Sequence, residues 1–496
     1  MLQAHNSVQT QNHFYANPTP MNPRTASRPH RRFGHRLTPL ALAVLLGACA
    51  SVSAPTPSAL PEQVPAQWST HKTPQEASVT DLSAWWQRFD DPQLGELIRQ
   101  ALQANPSLKG TQAALRQARA QADVQQANLA PSLGASASAQ RSRSGDADAS
   151  NRFQAGFDAS WEPDIFGRNR SAAEASEADV QASAAGLADA QVSLAAEVAV
   201  NYINLRSLQN RLIIAQDNLS AQLETLQIAQ WRTQAGLASS LDEEQAKASA
   251  EQTRAQLPAL QASAAKALHA LAVLTGQAPG ALNTALSSPA AIPASPADLA
   301  LAFPADTLRQ RPDVRAAERR VSAAMARVNS ANAARYPSFT LSGSLGLSAL
   351  TLGTLTNSAS LLQSVLAGLS APLLDGGAKA AQVRSQEAAL DQARATYENT
   401  VLSALKDVED ALTMLKGDRE RLERLQAATA AATNAELLAR QRYESGLTDF
   451  STVLTTQRTL LSLQDSVAST QADLSNDHVQ LYKALGGGWQ PTHAAP

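Results

Sequence analysis

Two stretches of this 496-residue chain carry prolines and glycines at matching intervals, and no other feature constrains the fold as strongly. Pro106 and Pro131 stand 25 residues apart, as do Pro312 and Pro337, with alanine-rich sequence between them. The intervals Gly236 to Gly276 and Gly446 to Gly486 are both 40 residues. Pro163-Asp164-Ile165-Phe166-Gly167 has its counterpart in Pro372-Leu373-Leu374-Asp375-Gly376. Shared composition makes two tracts look alike, but it does not keep helix-breaking residues in step. The chain therefore reads as a tandem structural repeat, with a first copy at 85–276, a linker at 277–310, a second copy at 311–486 and a tail at 487–496.

Each copy reads as helix, β-hairpin, long helix and shorter helix. Phe153, Ala155, Phe157, Ala159 and Trp161 alternate with Arg152, Gln154, Gly156, Asp158 and Ser160, the period-2 pattern of a strand with one apolar and one wet face. Residues 132–140 alternate Ser or Gly with Leu and Ala, and Arg141-Ser142-Arg143-Ser144-Gly145-Asp146 forms a polar tip. This places a hairpin at about 131–163. In the second copy, Phe339, Leu341, Leu345 and Leu347, then Val365, Ala367 and Leu369, mark a hairpin at about 337–373.

Beyond each hairpin the period becomes helical. Leu194, Val198, Tyr202, Leu205, Leu208, Leu212, Ala215, Leu219, Leu223 and Leu226 recur at three or four, and no proline lies between Pro163 and Gly236. One uninterrupted helix is expected at about 169–235, with its twin at about 378–445 marked by Val401, Leu405, Val408, Leu412, Leu415, Leu422 and Leu425. At 1.5 Å per residue such a helix reaches roughly 100 Å. Gly236 and Gly446 permit the positive-φ turns that stop the long helices. Shorter helices at about 238–275 and 448–485 fold back along them. Aromatic residues are only 4% against 44% apolar, so small residues supply much of the core, as suits long, closely packed helices.

Four strands per chain cannot close a membrane barrel, which needs at least eight strands and an apolar band rimmed by aromatics. Three copies would give a twelve-stranded wall, with Trp161 and Tyr336 as candidate interface aromatics. The expected fold is mainly α with a small β part: long antiparallel helices forming a trimeric α-barrel, and four strands per chain contributing to a trimeric twelve-stranded transmembrane β-barrel.

The N-terminus reads as an export signal at 1–48. Arg24, Arg28, Arg31, Arg32 and Arg36 precede an apolar run, Leu37 to Ala48, that is shorter than the roughly 20 residues a bilayer span needs. Translation is expected to start at Met21, since Met1 to Pro20 is long and polar for such a segment. Leu46-Gly47-Ala48-Cys49 resembles the lipobox of bacterial lipoproteins, in which the Cys is acylated and becomes the new N-terminus. Cys49 is the only cysteine, so an intramolecular disulfide is excluded. Residues 49–84 then read as the acylated N-terminus and a tether rich in proline (Pro55, Pro57, Pro61, Pro65). Ala50 after the Cys implies delivery to the outer membrane.

Beyond Cys49 the chain resembles the TolC-like outer-membrane factor family, of the lipoprotein type found with NodT-like and drug-efflux ducts. The resemblance rests on Trp85-Trp86 with Phe89-Asp90-Asp91-Pro92 and Leu94; Ala104-Asn105-Pro106; and Trp161-Glu162-Pro163-Asp164-Ile165-Phe166-Gly167-Arg168. It continues in Arg311-Pro312-Asp313-Val314 with Ala317-Glu318, and in Ala484-Leu485-Gly486-Gly487-Gly488-Trp489. It implies a homotrimer in the outer membrane of a Gram-negative bacterium, lipid-anchored and extending into the periplasm. It further implies an equatorial region from the helices near 90–104 and the segment 277–310, and docking of a periplasmic adaptor and an inner-membrane pump. The duct would passively conduct small toxic compounds or drugs. A type I protein-secretion duct shares the architecture. A periplasmic adaptor or scaffold lipoprotein is the rival of another class, but it would have one central hairpin flanked by β-domains rather than a tandem repeat.

The family's second helix turn carries a carboxylate nine residues after its glycine, ringing the periplasmic aperture. Here that position is Thr455, within Leu454-Thr455-Thr456-Gln457-Arg458. Aperture candidates are therefore Asp449, Ser451, Thr455 and Arg458 in the second turn and Asp242, Glu243 and Glu244 in the first. A leaky resting aperture is expected. Net charge is −2, which gives no reason to expect nucleic acid. No HExxH, P-loop, GxSxG or dinucleotide fingerprint is present, so no enzyme and no cofactor are expected. His269 and His478 occupy equivalent helices without partners at ligand spacing, and with four methionines no metal site is expected.

Overall fold

The computed structural model describes residues 82–294 and 304–489, together with Val64, Pro65 and Trp68, all within one compact unit, Pro57–Pro496. The signal segment, Cys49 and most of the tether lie outside the described residues, as do 295–303 of the linker and 490–496 of the tail.

After a 3-10 turn at Trp85–Phe89 come α1 (Pro92–Ala104) and α2 (Pro106–Ala127). A hairpin of β1 (Ser132–Ser142) and β2 (Ser150–Trp161) leads to α3 (Arg168–Gln234) and α4 (Ser240–Leu274). Two short helices, α5 (Asn283–Leu286) and α6 (Pro304–Gln310), precede α7 (Pro312–Ala333). The second hairpin, β3 (Ser338–Ala349) and β4 (Leu361–Ser370), leads to α8 (Ala378–Glu444) and α9 (Phe450–Ala484). The two copies match in length. α2 and α7 have 22 residues each, α3 and α8 have 67, and α4 and α9 have 35.

Local chemistry sets the helix starts. Pro92 occupies the first turn of α1, where a missing N–H costs nothing, and the Asp91 carboxylate accepts from the Gln93 and Leu94 amides at 2.9 and 3.0 Å. Asn105 does the same for Leu108 at the start of α2, at 3.0 Å. Helices of 67 residues hold together through lateral packing. α3 lies between α4 and α9 and also carries α2 and α7, so its alanine and leucine stripe meets a neighbour along much of its length.

The densest core sits at mid-height. Trp85, Leu94, Ile98, Tyr202, Ile203, Leu205, Leu271 and Tyr482 form one buried cluster, with the Trp85 and Tyr482 rings stacked at 5.3 Å. Two buried arginines fasten the connections around it. Arg206 donates to Gln209 Oε1 at 2.8 Å and to the Ser288 carbonyl at 2.9 Å, which ties the linker to α3. Arg311 pairs with Asp313 and Asp407 and donates to the Ala484 carbonyl at 3.0 Å, joining the N-terminus of α7 to the end of α9.

The four strands form one antiparallel sheet in the order β1-β2-β3-β4, so the two hairpins pair with each other through β2 and β3. In this register the odd-numbered positions share a face. Leu133 lies opposite Ala159, Phe157 opposite Leu345, and Leu341 opposite Ala367. The other face is rich in serine, with Ser136 donating to Asp158 at 2.8 Å and Ser344 sharing a hydrogen bond with Ser364 at 2.7 Å. Gln363 on the apolar face and Leu362 and Leu366 on the serine face break the alternation. Gly156 and Gly346 face each other where the copies join. A Cβ on Gly156 would lie 2.8 Å from the Gly346 Cα, so this pair allows a backbone approach that no other residue permits.

Candidate functional site

The site is built where the long helices turn back. Ala235 ends α3, Gly236 takes φ 71°, and its amide reaches the Thr233 carbonyl at 3.0 Å while Leu237 reaches Arg232 at 2.7 Å. Gly446, with φ 74°, repeats the pattern toward Tyr443 and Arg442 at 3.0 and 2.8 Å. Both are Schellman ends, in which a residue at positive φ lets two orphan carbonyls be satisfied at once.

The acidic residues of the first turn divide. Asp242 forms a capping box with Ser239, each side chain accepting from the other's backbone amide at 3.3 Å. Glu243 is half-buried, and exposed Glu244 lies 3.9 Å from Lys247. In the second turn, Asp449 is the exposed N-cap of α9 and accepts from the Thr452 and Ser451 hydroxyls at 2.9 and 3.0 Å. Those hydrogen bonds hold its carboxyl below the usual range. Thr455 turns its hydroxyl onto the Ser451 carbonyl at 2.8 Å, and Arg458 is exposed. Within the chain these residues cap helices or face solvent, and the structure does not gather them into one cluster.

The tip is instead joined by residues that the sequence reading did not single out. Arg232 at the end of α3 donates to the Tyr443 carbonyl at 3.0 Å, and its guanidinium lies 4.5 Å above the Tyr443 ring. Tyr443 packs against Phe450 at 5.1 Å, and both belong to a buried cluster with Ala229, Ala246, Ala439, Val453 and Leu454. Burial pushes the Tyr443 phenol up from its ordinary value, so it stays neutral. Gln457 adds a buried hydrogen bond to Thr225 at 2.9 Å. The only sequence signal was a difference between the copies: Tyr443 stands three residues before its glycine, where the first copy has Thr233.

At the opposite end, Trp161 donates to the Leu129 carbonyl at 3.1 Å, and Tyr336 stacks on Phe166 at 5.0 Å. His269 is exposed, whereas His478 is buried against the Leu474 carbonyl at 2.9 Å. Among the described residues, no three His, Cys, Asp or Glu side chains are grouped to hold a metal ion.

A sheet with one apolar face and two open edges, carried on two hairpins of very long helices, defines a channel-forming subunit. The family model described as outer membrane efflux protein matches residues 97–277 and 303–487, and the chain belongs to that family. It is 33% identical to the pyoverdine export outer membrane protein OpmQ of Pseudomonas aeruginosa, across 92% of this chain and 97% of that protein. It is 30% identical to nodulation protein T of Rhizobium leguminosarum bv. viciae, across 93% and 95%. Among solved structures, the outer-membrane channel OprN superposes with a TM-score of 0.83 at 37% identity, covering 88% of this chain and 99% of that one. The Neisseria gonorrhoeae MtrE outer membrane channel, solved in its open state, gives 0.77 at 28%, covering 88% and 98%. The chain is thus an outer-membrane efflux channel protein with a TolC-like fold.

Proposed function

We propose that three chains close into one duct that passes small toxic compounds or drugs to the exterior, fed by a periplasmic adaptor and an inner-membrane pump. The observation that carries this is the sheet: an apolar face between two unpaired edges, β1 and β4, needs further copies to become a lipid-facing wall. Relatives named for pyoverdine export, toluene efflux and solvent efflux support small-molecule cargo. Cys49 acylation would tether the assembly to the outer membrane. Deleting the gene should sensitise the cell to small apolar toxicants. A mutant that keeps its toxicant resistance but no longer secretes a protein would favour the secretion-duct reading.

The duplication also indicates how the far end is held. Inside one chain α3 meets α9, so between chains α8 would meet the neighbour's α4. Arg442 stands where Arg232 stands in the first copy, but Ser240, Glu243, Glu244 and Lys247 replace Phe450, Val453, Leu454 and Gln457. The seam within a chain is apolar and aromatic, whereas the seam between chains is charged and therefore weaker and screened by salt. Opening would proceed at the charged seams. Arg442→Ala should raise single-channel conductance in planar bilayers at low salt and have little effect at 1 M salt. Equal conductance at both salts would sink this assignment.

A further inference from the structure

The face that α9 buries is left open on its twin, α4. Gln457, Ala468 and Val479 of α9 are 4%, 1% and 0% exposed. The two helices align without a gap at an offset of 210 residues, as do α3 and α8, so these positions correspond to Lys247, Pro258 and His269 of α4, all exposed. α4 is also long and apolar enough to cross a membrane, yet only 11% of its most apolar stretch is buried in the chain. Exposed apolar surface on this scale marks an interaction face.

The packed seam supplies a register for the open one. In it α3 lies against α9: Asn476 donates to Asn204 at 3.1 Å, Ser207 to the Ala468 carbonyl at 3.5 Å, and Arg211 pairs with Asp465 at 2.6 Å. One turn beyond Asn204, Val200 and Val479 pack into the same apolar cluster. Moving each α3 residue to its α8 counterpart and each α9 residue to its α4 counterpart sets Met414 beside Lys266, Gly417 beside Pro258 and Asp410 beside His269. All six are exposed in the chain.

The residues suit this pairing. Gly417 and Pro258 are each unfavourable inside a helix, glycine through backbone entropy and proline through the amide it cannot offer the Arg254 carbonyl. Opposite one another they fit, because the proline ring needs room and nothing lies within 4 Å of where a Cβ on Gly417 would stand. The apolar pair Val200 and Val479 is replaced by a carboxylate, Asp410, facing an imidazole, with the Lys266 ammonium one turn away. Asp410 also meets Lys406 at 2.6 Å, but that pair is exposed, and a carboxylate has lone pairs for a second donor.

We infer that a second copy of this chain docks its α4 along α8 in this register, with the partner's Lys266 and the partner's His269 on Asp410 and the partner's Pro258 in the gap at Gly417. The inference rests on the duct reading above and names the residues that meet at its seams.

Oxidative crosslinking of the full chain tests the register. Met414→Cys combined with Lys266→Cys should give disulfide-linked dimers and trimers on non-reducing gels, at roughly tenfold the yield of either single variant. The single variants account for Cys49, the only native cysteine. Met414→Cys combined with Gln256→Cys, about 15 Å away along α4, should give none. An amine-reactive crosslinker applied to the unaltered protein reports assembly whatever its register. Assembly without the disulfide at positions 414 and 266, or with one at 414 and 256 in its place, overturns the docking register alone, whereas absence of assembly overturns the duct reading with it. Charge reversal gives a second readout. Asp410→Lys should lower the yield of SDS-resistant oligomer roughly threefold, and adding Lys266→Asp should restore it. A loss that the second substitution does not repair refutes the ionic contact.

Discussion

Replacing Tyr443 separates what its ring does at the tip from what its hydroxyl does. The ring is buried in the cluster that joins the two helix turns, and Arg232 lies over it at 4.5 Å. Truncating a buried aromatic to alanine costs about 3–5 kcal/mol, and the lost cation–π contact adds about 1 kcal/mol. The hydroxyl is buried with no hydrogen-bond partner among the described residues, so removing it relieves a desolvation penalty of about 1–3 kcal/mol. Tyr443→Ala should therefore weaken the tip by about 3 kcal/mol, on the order of a hundredfold in the population of loosened tips, since about 1.4 kcal/mol is tenfold. Tyr443→Phe should leave it unchanged or tighter. Single-channel recording in planar bilayers reads the difference: the alanine variant should show long high-conductance dwells, and the phenylalanine variant should trace the wild type. If phenylalanine is as leaky as alanine, the hydroxyl holds the tip and the ring-based account is wrong.

Gly346→Ala places a Cβ 2.8 Å from the Ala155 carbonyl oxygen and should cost about 2–3 kcal/mol, lowering the melting temperature of the proposed trimer on heated gels. Gly343→Ala, whose Cβ meets nothing closer than 3.6 Å, should be silent, and an equal effect of both would remove the close-approach argument. Asp477 is buried beside Asp418, and desolvation followed by that like charge raises its pKa to about 7. The neutral form is the one the fold favours. Its contribution is complete below the unfolded value near 3.9 and is lost as pH rises through about 7. Asp477→Asn should therefore raise thermal stability at pH 8 and flatten its dependence between pH 5 and 8, as calorimetry can check.

The repeat was legible because prolines and glycines answer to backbone geometry, which sequence spacing records directly. The strands were legible as faces, since Phe157 and Leu345 alternate with serine and glycine whatever their partner strand. The pairing of β2 with β3 was not, because nothing local to Gly156 names Gly346. At the tip, the polar residues around Gly236 and Gly446 stood out as candidates, yet within a chain Asp242 closes a capping box and Asp449 is held by the hydroxyls of its own turn. Arg232 escaped notice because Arg442 looks the same in sequence. What separates them is the aromatic ring that packing brings across from another helix.

The open edges of the sheet also bear on how such a protein reaches its membrane. β1 and β4 each present a row of unpaired amides and carbonyls, and each such group left unsatisfied in hydrocarbon costs several kcal/mol. A single chain inserted alone would be forbidden energetically before it was functional. For the proposed trimer, insertion and association would then be one event, whose rate would rise steeply with subunit concentration at the membrane. Dilution, rather than loss of any residue, would be the surest way to stop this channel from forming.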